Sequence, residues 1–403
     1  MRFLAAAATP IKTSWLLRAL IMHIRGKGSR EFEEALKIYF RKSGAYTFSS
    51  LMRTNYACLM AMKLATNCTK NMVILPRYSC PSFIHAVIAA GLRPMYCDIN
   101  PETLSIDMNS INSMDTKDVL ALVCTNLFGL SGKAAEIRKF CDERGIFMIE
   151  GADYSLGSIY DGKLVGTEAD FTILNFQEGK ALPVGGGAIV TNHSSIMDLL
   201  DIGHKANSSN ILTLFAYRFA ITPFFYWIFM KIAAFIGFNR KKLTMEDTMR
   251  NASGEFDFYF DRSSAFLPIS NFQAYLGLCI LNEIDGYINK REGMALQIEE
   301  KLSDISILRL TRREEKLSKT HYIRYPVLVR QDIRAGLLKS LLNNGIEASP
   351  MYIEHGMSFE ASDFPGAYTV LYELLTLPCH PYVKQKDVNA MYKVFKRFEE
   401  CKN

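Results

Sequence analysis

Several things are missing from this chain of 403 residues, and each absence closes a class of protein. No uncharged apolar run is long enough to span a bilayer. The longest, residues 219–230, falls short of the roughly 20 residues a spanning helix needs, and Pro223 interrupts it. Residues 3–8 are apolar but too few for a secretory leader, and Thr9-Pro10-Ile11-Lys12 follows them, so no signal peptide is expected. The nine cysteines contain no CxxC pair. Cys97, Cys124 and Cys279 sit in apolar surroundings, which points to reduced, buried thiols and a cytoplasmic protein. His355 and His380 stand alone, without the spacing of a metal site. Strong charge is also lacking. A net charge of +6 favours phosphorylated substrates or an anionic membrane face weakly, and gives no sign of nucleic acid binding.

Apolar residues make up 49% of the chain, enough for a folded protein of one large domain and a smaller lobe. Short apolar runs bounded by turn residues alternate with helical patterns. Residues 72–75, 94–97 and 119–124 read as strands, and residues 53–65, 81–90 and 133–144 as helices. That alternation argues for a mostly parallel sheet in an α/β layered domain, whose ligands gather at the carboxyl ends of the strands. Further on, residues 271–288 and 291–302 read as helices and 323–329 as a strand. Residues 333–343 form a helix closed by Asn344-Gly345, and Val388, Met391, Phe395 and Phe398 line one face of a last helix. Residues 245–263 read as a polar loop.

The chain is organised around residues 145–191. Three apolar runs, 146–149, 171–174 and 188–190, have the pattern of buried strands. Between the last two lie a single lysine, Lys180, and Gly185-Gly186-Gly187. Burial lowers a lysine's proton affinity and allows it to form a Schiff base with an aldehyde. A loop lysine beside a glycine turn is, on its own, more often simply exposed.

The sequence around Lys180 resembles the DegT/DnrJ/StrS family of sugar aminotransferases, pyridoxal-phosphate enzymes of fold type I. The family's IEDAAQSLG, lysine and GGGA pattern is matched by Ile149 to Gly157 (IEGADYSLG), by Gly179-Lys180 and by Gly186-Gly187-Ala188. Three more blocks follow suit: Pro76-Arg77-Tyr78-Ser79-Cys80-Pro81 is similar to PAYTCP, Gln273-Ala274-Tyr275-Leu276-Gly277 to QAALG, and Leu377-Pro378-Cys379-His380-Pro381 to LPxHP. The resemblance implies a pyridoxal 5'-phosphate cofactor held covalently by Lys180, whose amine also moves the proton during transfer. It implies a phosphate site at a helix start, here Thr54 and Asn55, which keep capping ability although the family's glycine is absent. Asn175 takes the place of a phosphate-binding Ser, Tyr154 of a Gln that touches the cofactor's phenolic oxygen, Cys80 of a residue over the ring, and Asn126 of a frequent His. Tyr352 and His355 fall where the family's loop borders the substrate.

One departure stands out. The family's partner for the pyridine nitrogen is the Asp of EDAAQ, and here that position is Gly151. A carboxylate there keeps the ring nitrogen protonated, and glycine cannot do so. Asp153 would share the strand face in an extended chain but lie roughly 6.5 Å further along, out of reach without local bending.

Two segments raise a membrane question. Leu16, Leu17, Leu20, Ile21 and Ile24 fall on one helical face with Arg18 and Arg25 elsewhere, which fits either a packed helix or a basic helix lying on a membrane surface. Residues 211–238 are nearly all apolar, with Phe224, Phe225, Tyr226 and Trp227 of the kind found at membrane interfaces; a buried hairpin or a dimer contact fits equally well. The expectation is therefore an α/β protein with an N-terminal segment (1–45), a large cofactor domain (46–270, including the apolar insertion 211–238) and a small C-terminal α+β domain (271–403). It is expected to be a cytoplasmic homodimer with peripheral membrane contact. Its reaction would be amino transfer, typically from glutamate, to a nucleotide- or lipid-linked keto sugar in glycan biosynthesis. A non-catalytic protein on the same fold and a pyridoxal-phosphate sugar dehydratase are the alternatives.

Overall fold

The computed structural model describes residues 2–67, 69–130, 132–203, 211–235, 266–352 and 359–400. His355, the loop 245–263 and residues 236–238 of the apolar segment lie outside them. The chain opens with helices α1 (Thr13–Ile24) and α2 (Ser29–Phe40), then β1 (Gly44–Phe48), α3 (Leu51–Ala65), β2 (Met72–Pro76), α4 (Pro81–Ala89) and β3 (Arg93–Cys97). It continues through α5 (Met108–Asn112), β4 (Val119–Thr125), α6 (Ala134–Arg144), β5 (Phe147–Gly151), β6 (Ile159–Tyr160), β7 (Lys163–Leu164), β8 (Phe171–Asn175), β9 (Gly187–Thr191) and α7 (Ser194–Met197). A hairpin follows, α8 (Ile211–Ala220) and α9 (Pro223–Phe235), then α10 (Asn271–Leu281), α11 (Ile284–Leu302), β10 (Leu308–Leu310), β11 (Leu317–Lys319) and β12 (Arg324–Val329). The described chain closes with α12 (Gln331–Asn343), α13 (Pro365–Glu373), β13 (Leu374–Pro378) and α14 (Gln385–Glu400).

Seven strands form the large sheet in the order β1-β9-β8-β5-β4-β2-β3. From β8 to β3 every pairing is parallel; β9 runs antiparallel to both β8 and β1. The parallel strands are almost continuously apolar because helices cover both faces. On one face Leu59, Met62, Phe83 and Val87 of α3 and α4 pack on Val73, Val123 and Ile173. On the other, Ile137, Phe140 and Cys141 of α6 pack on Ile74, Leu122 and Met148. The smaller lobe carries the antiparallel sheet β10-β12-β13. Its closing helix α14 buries Val388, Met391 and Phe395, as the spacing predicts.

Two expected boundaries move, and one expected apolar face divides. The helix expected at 53–65 begins at Leu51, because Ser50 caps it by accepting from the Arg53 amide. The single helix expected over 271–288 breaks at Asn282-Glu283, so that α10 and α11 run separately. The wide apolar face of α1 divides: Leu16 is buried, whereas Leu17, Ile21 and Ile24 point to solvent. The N-terminal segment is tied into the smaller lobe. Leu4 bridges Ile346, and the Ala6 amide donates to Glu347 at 3.0 Å.

Candidate active site

The carboxyl ends of β2, β4, β5 and β8 open onto one cavity, lined by Cys80, Asn126, Asp153, Tyr154, Asn175 and Tyr352 together with Leu51, Phe83 and Thr125. Six residues that the sequence singles out are thereby brought together. Lys180 follows the loop after β8 and is buried. Its Nζ lies 2.6 Å from Asp153 Oδ2 and 3.2 Å from the centroid of the Tyr154 ring. Burial pulls the amine's proton affinity down, but the Asp153 carboxylate and Tyr154 outweigh it, so the Lys180 pKa stands above the usual lysine value.

Asp153 reaches the lysine because the chain does not stay extended. Strand β5 ends at Gly151, the Ala152 amide makes one more bond to the Ile173 carbonyl (2.9 Å), and the chain then turns. That turn corrects the extended geometry under which Asp153 would lie a full strand repeat away. Gly151 itself is ordinary strand. A β-carbon there would meet the Cys124 carbonyl oxygen at 3.7 Å and ring carbons of Phe83 at 3.8 Å, both normal contacts. Gly151 itself adds no carboxylate to the end of β5, and Phe83 packs beside it. The position of Phe83, in the first turn of α4, is set by the packing of α4 on the sheet, and no local signal in the sequence marks it.

The lysine loop is held from behind. Lys180's carbonyl accepts from Thr9 Oγ1 (2.7 Å), and Thr9 Oγ1 accepts from Arg291 Nη2 (2.7 Å). Gly186 has a φ of +88°, and a β-carbon on it would stand 2.4 Å from the Phe48 carbonyl oxygen. Only glycine lets the chain pass β1 so closely after the lysine.

Helix α3 points its N-terminus at the cavity through Leu51. The Thr54 amide makes the first intrahelical bond, back to Ser50 (3.0 Å), which leaves the amides of Leu51 and Met52 outside the ladder. Thr54 and Asn55 therefore do not cap the helix. They lie one turn inside it, where the Thr54 hydroxyl donates to the Ser50 carbonyl (2.9 Å) and the Asn55 amide to Ser82 Oγ (3.3 Å). Ser50 was readable in advance: a serine immediately before a helical apolar pattern is an N-cap signal. Asn175 is turned onto its own loop, where its Oδ1 accepts from the Gln177 amide (2.9 Å). Asn126 donates to buried Glu150 (2.9 Å).

Tyr352 closes the far side. Its ring meets Tyr78 edge-on at 5.4 Å, and the Tyr78 hydroxyl donates to the Met351 carbonyl (3.1 Å). Both Met351 and Tyr352 have positive φ, 44° and 54°, a conformation that bulky residues adopt only under constraint from their surroundings. Burial and then its neighbour Tyr154 drive the Tyr352 hydroxyl well above its ordinary pKa, so it stays protonated. Burial likewise pushes the Cys80 thiol up. His380 is buried in the lobe with Nε2 2.9 Å from the Ala5 carbonyl, away from any catalytic role.

A buried lysine paired with a carboxylate, at the carboxyl edge of a parallel sheet and opposite a free helix N-terminus, is the arrangement a phosphorylated aldehyde needs. The comparison with known families agrees: residues 12–210 and 245–396 match the DegT/DnrJ/EryC1/StrS aminotransferase family.

The chain belongs to that family.

Membership places it among the pyridoxal-phosphate-dependent aminotransferases. It is 24% identical over 333 residues to the dTDP-4-dehydro-2,3,6-trideoxy-D-glucose 4-aminotransferase of Saccharopolyspora spinosa, covering 81% of this chain and 78% of that one. Its fold matches that of Helicobacter pylori PseC, an aminotransferase involved in the biosynthesis of pseudoaminic acid, with a TM-score of 0.74 at 18% identity over the whole of both chains. It also matches the E. coli GDP-4-keto-6-deoxy-D-mannose-3-dehydratase at 0.74, with 17% identity over 98% of this chain and 100% of that one. These likenesses confirm the expected fold type. Against pyridoxal phosphate itself, the residues fit at two ends. Lys180 is a buried amine for the aldehyde, and the amides of Leu51 and Met52 with the α3 dipole are a seat for the phosphate. At the end of β5, where the resemblance implies a partner for the ring nitrogen, Gly151 offers no side chain.

Proposed function

We propose that the protein transfers an amino group, with glutamate as donor, to a keto sugar carried on a nucleotide or lipid, as a step in making a cell-surface glycan. The observation that carries this reading is the buried Lys180–Asp153 pair at the mouth of the parallel sheet. Pyridoxal phosphate, when bound, supplies the electron sink for the carbanion and the carrier for the amino group. This chain's residues do the rest. The N-terminus of α3 orients the phosphate. Lys180 Nζ, as the neutral amine, takes the proton from the amino-acid carbon; Asp153 stabilises the ammonium so formed, which then returns the proton. The Tyr154 ring shapes the pocket around the amine, and Tyr352 keeps water from the far side. The protein is proposed to act in the cytoplasm as a homodimer, with peripheral membrane contact.

Gly151 favours a second reading, a binding protein on this fold without turnover. Borohydride reduction of the protein incubated with pyridoxal phosphate, followed by peptide mapping and an amino-transfer assay, separates the two readings. A pyridoxyl group on Lys180, with amino transfer from glutamate to a nucleotide-linked keto sugar, supports the enzyme. Label on Lys180 without transfer supports the second reading. Label elsewhere, or none, overturns both assignments of Lys180.

A further inference from the structure

Two elements at the surface carry apolar side chains that the fold does not use. On α1, Leu17, Ile21 and Ile24 recur at helical spacing along the outer side, and Ile24 is 78% exposed. On the α8–α9 hairpin, Leu212 (85% exposed), Phe224, Phe229 and Ile232 face outward, while Leu214, Tyr226 and Met230 anchor the inner side. The anchoring is specific. Tyr226 donates to Glu347 (2.7 Å), and Phe3 bonds Pro223 through its amide (3.0 Å) and packs edge-on against the Tyr226 ring at 5.6 Å. The outward side chains are therefore held out by a fixed scaffold. Both elements are braced on α10: α1 packs along it, and Phe215 of α8 stacks on its Phe272 at 6.3 Å.

Charge identifies what fits this surface. Residues 1–30 contain no Asp or Glu, and neither do residues 211–235. Arg18, Arg25 and Lys27 are exposed beside the α1 stripe, and Arg218 and Lys231 lie on the hairpin. None of these five pairs with a carboxylate among the described residues. Lys12 is the contrast, since Glu283 neutralises it. A second copy of the chain meeting this surface about a twofold axis would set these cations against themselves, with no acid in either segment to relieve them. Anionic lipid headgroups would neutralise them and take up the aromatic and aliphatic side chains. The hairpin's geometry suits lying in the interface rather than crossing it. Ile211–Ala220 and Pro223–Ile232 are bent by 99°, and among the described residues no single helix is long and apolar enough to span a membrane.

We propose that α1 and the α8–α9 hairpin dock this protein onto an anionic lipid surface. The apolar side chains insert at the headgroup boundary and the five cations hold it there. The inference goes beyond the catalytic reading and does not depend on it. The test uses the full-length protein and sucrose-loaded vesicles of phosphatidylcholine alone or with one third phosphatidylglycerol, with binding read by cosedimentation and oligomeric state by light scattering. The wild type is expected to sediment with the anionic vesicles at low salt and to be released at ~0.5 M salt, where charges are screened beyond a few ångströms. The double variant Phe224→Ser/Phe229→Ser alters half-exposed positions and leaves the fold intact. It should bind at least about tenfold more weakly. Arg18→Glu/Arg25→Glu, at exposed positions, should do the same by charge alone. Protein that stays in the supernatant with both vesicles, or that binds neutral and anionic vesicles equally, overturns the proposal. So does a Phe224→Ser/Phe229→Ser protein that changes oligomeric state while binding vesicles like the wild type, which would make the surface a contact between copies.

Discussion

Restoring a carboxylate at position 151 is the sharpest test of how this site works. The structure sets the terms. Gly151 lies in regular strand, and a β-carbon there makes only ordinary contacts, the nearest at 3.7 Å. The β-carbon of Gly151→Asp therefore needs no backbone movement. The carboxylate beyond that carbon would be buried near the Phe83 ring, which raises its pKa and discounts its value unless a cation sits opposite. A protonated pyridine nitrogen would be that cation. One charge-assisted hydrogen bond is worth roughly 1.5–3 kcal/mol, and about 1.4 kcal/mol is a factor of ten in rate. Taking the lower end because of Phe83, Gly151→Asp should speed the half-reaction with glutamate about tenfold over a slow wild type. Stopped-flow absorbance of the bound cofactor measures it, with a thermal melt as the control for folding. The reasoning fails if Gly151→Asp leaves the rate unchanged while Asp153→Asn abolishes it; Asp153 would then already serve the ring. It fails differently if the wild type turns over at ordinary transaminase rates and ignores both substitutions, in which case residue 151 does not face the ring at all.

Two further predictions concern protons. Lys180 must be neutral to capture an aldehyde, and Asp153 holds its pKa above the usual lysine value; capture should therefore quicken steadily as pH rises through neutrality. Asp153→Asn removes the larger of the two influences that oppose burial and leaves Tyr154 as the other, so at fixed pH, borohydride-trapped pyridoxyl-Lys180 should accumulate about ten- to a hundredfold faster, by the same hydrogen-bond energy; an unchanged rate would show that the pair does not control the amine. His380, held neutral by burial at a pKa of about 3, contributes stability above its unfolded value near 6.5 that is lost as pH falls toward 3. Urea unfolding should show a loss of about 1.4 kcal/mol per pH unit from this residue below pH 6.5, and His380→Asn should flatten that slope; equal slopes in the two proteins would refute it.

Much of this protein was legible in one dimension. The buried strands at 72–76, 119–125, 147–151, 171–175 and 187–191 announced themselves as short apolar runs between turn residues, because a parallel strand covered on both faces has no polar side to show. The alternation of those strands with helices fixed where a site had to be, and Lys180 followed by three glycines marked it, since an amine between buried strands and a chain passing close to β1 both restrict residue choice locally. What the sequence could not decide were matters of direction and distance. Nothing in ADYS says that the chain turns after Ala152 and carries the Asp153 carboxylate to 2.6 Å from Lys180; an extended continuation is just as compatible with those residues. Asn175 lines the cavity, but its side-chain oxygen is engaged by the Gln177 amide. Leu16 and Leu17 are neighbours of equal hydrophobicity, and only the approach of α10 makes one core and leaves the other exposed. Periodicity and composition follow from local backbone geometry and the need to bury apolar surface, so they survive in the sequence. Which side chain meets which depends on contacts between segments far apart in the chain, such as residue 9 against 180 and residue 291 against 9, and those are settled only when the layers pack.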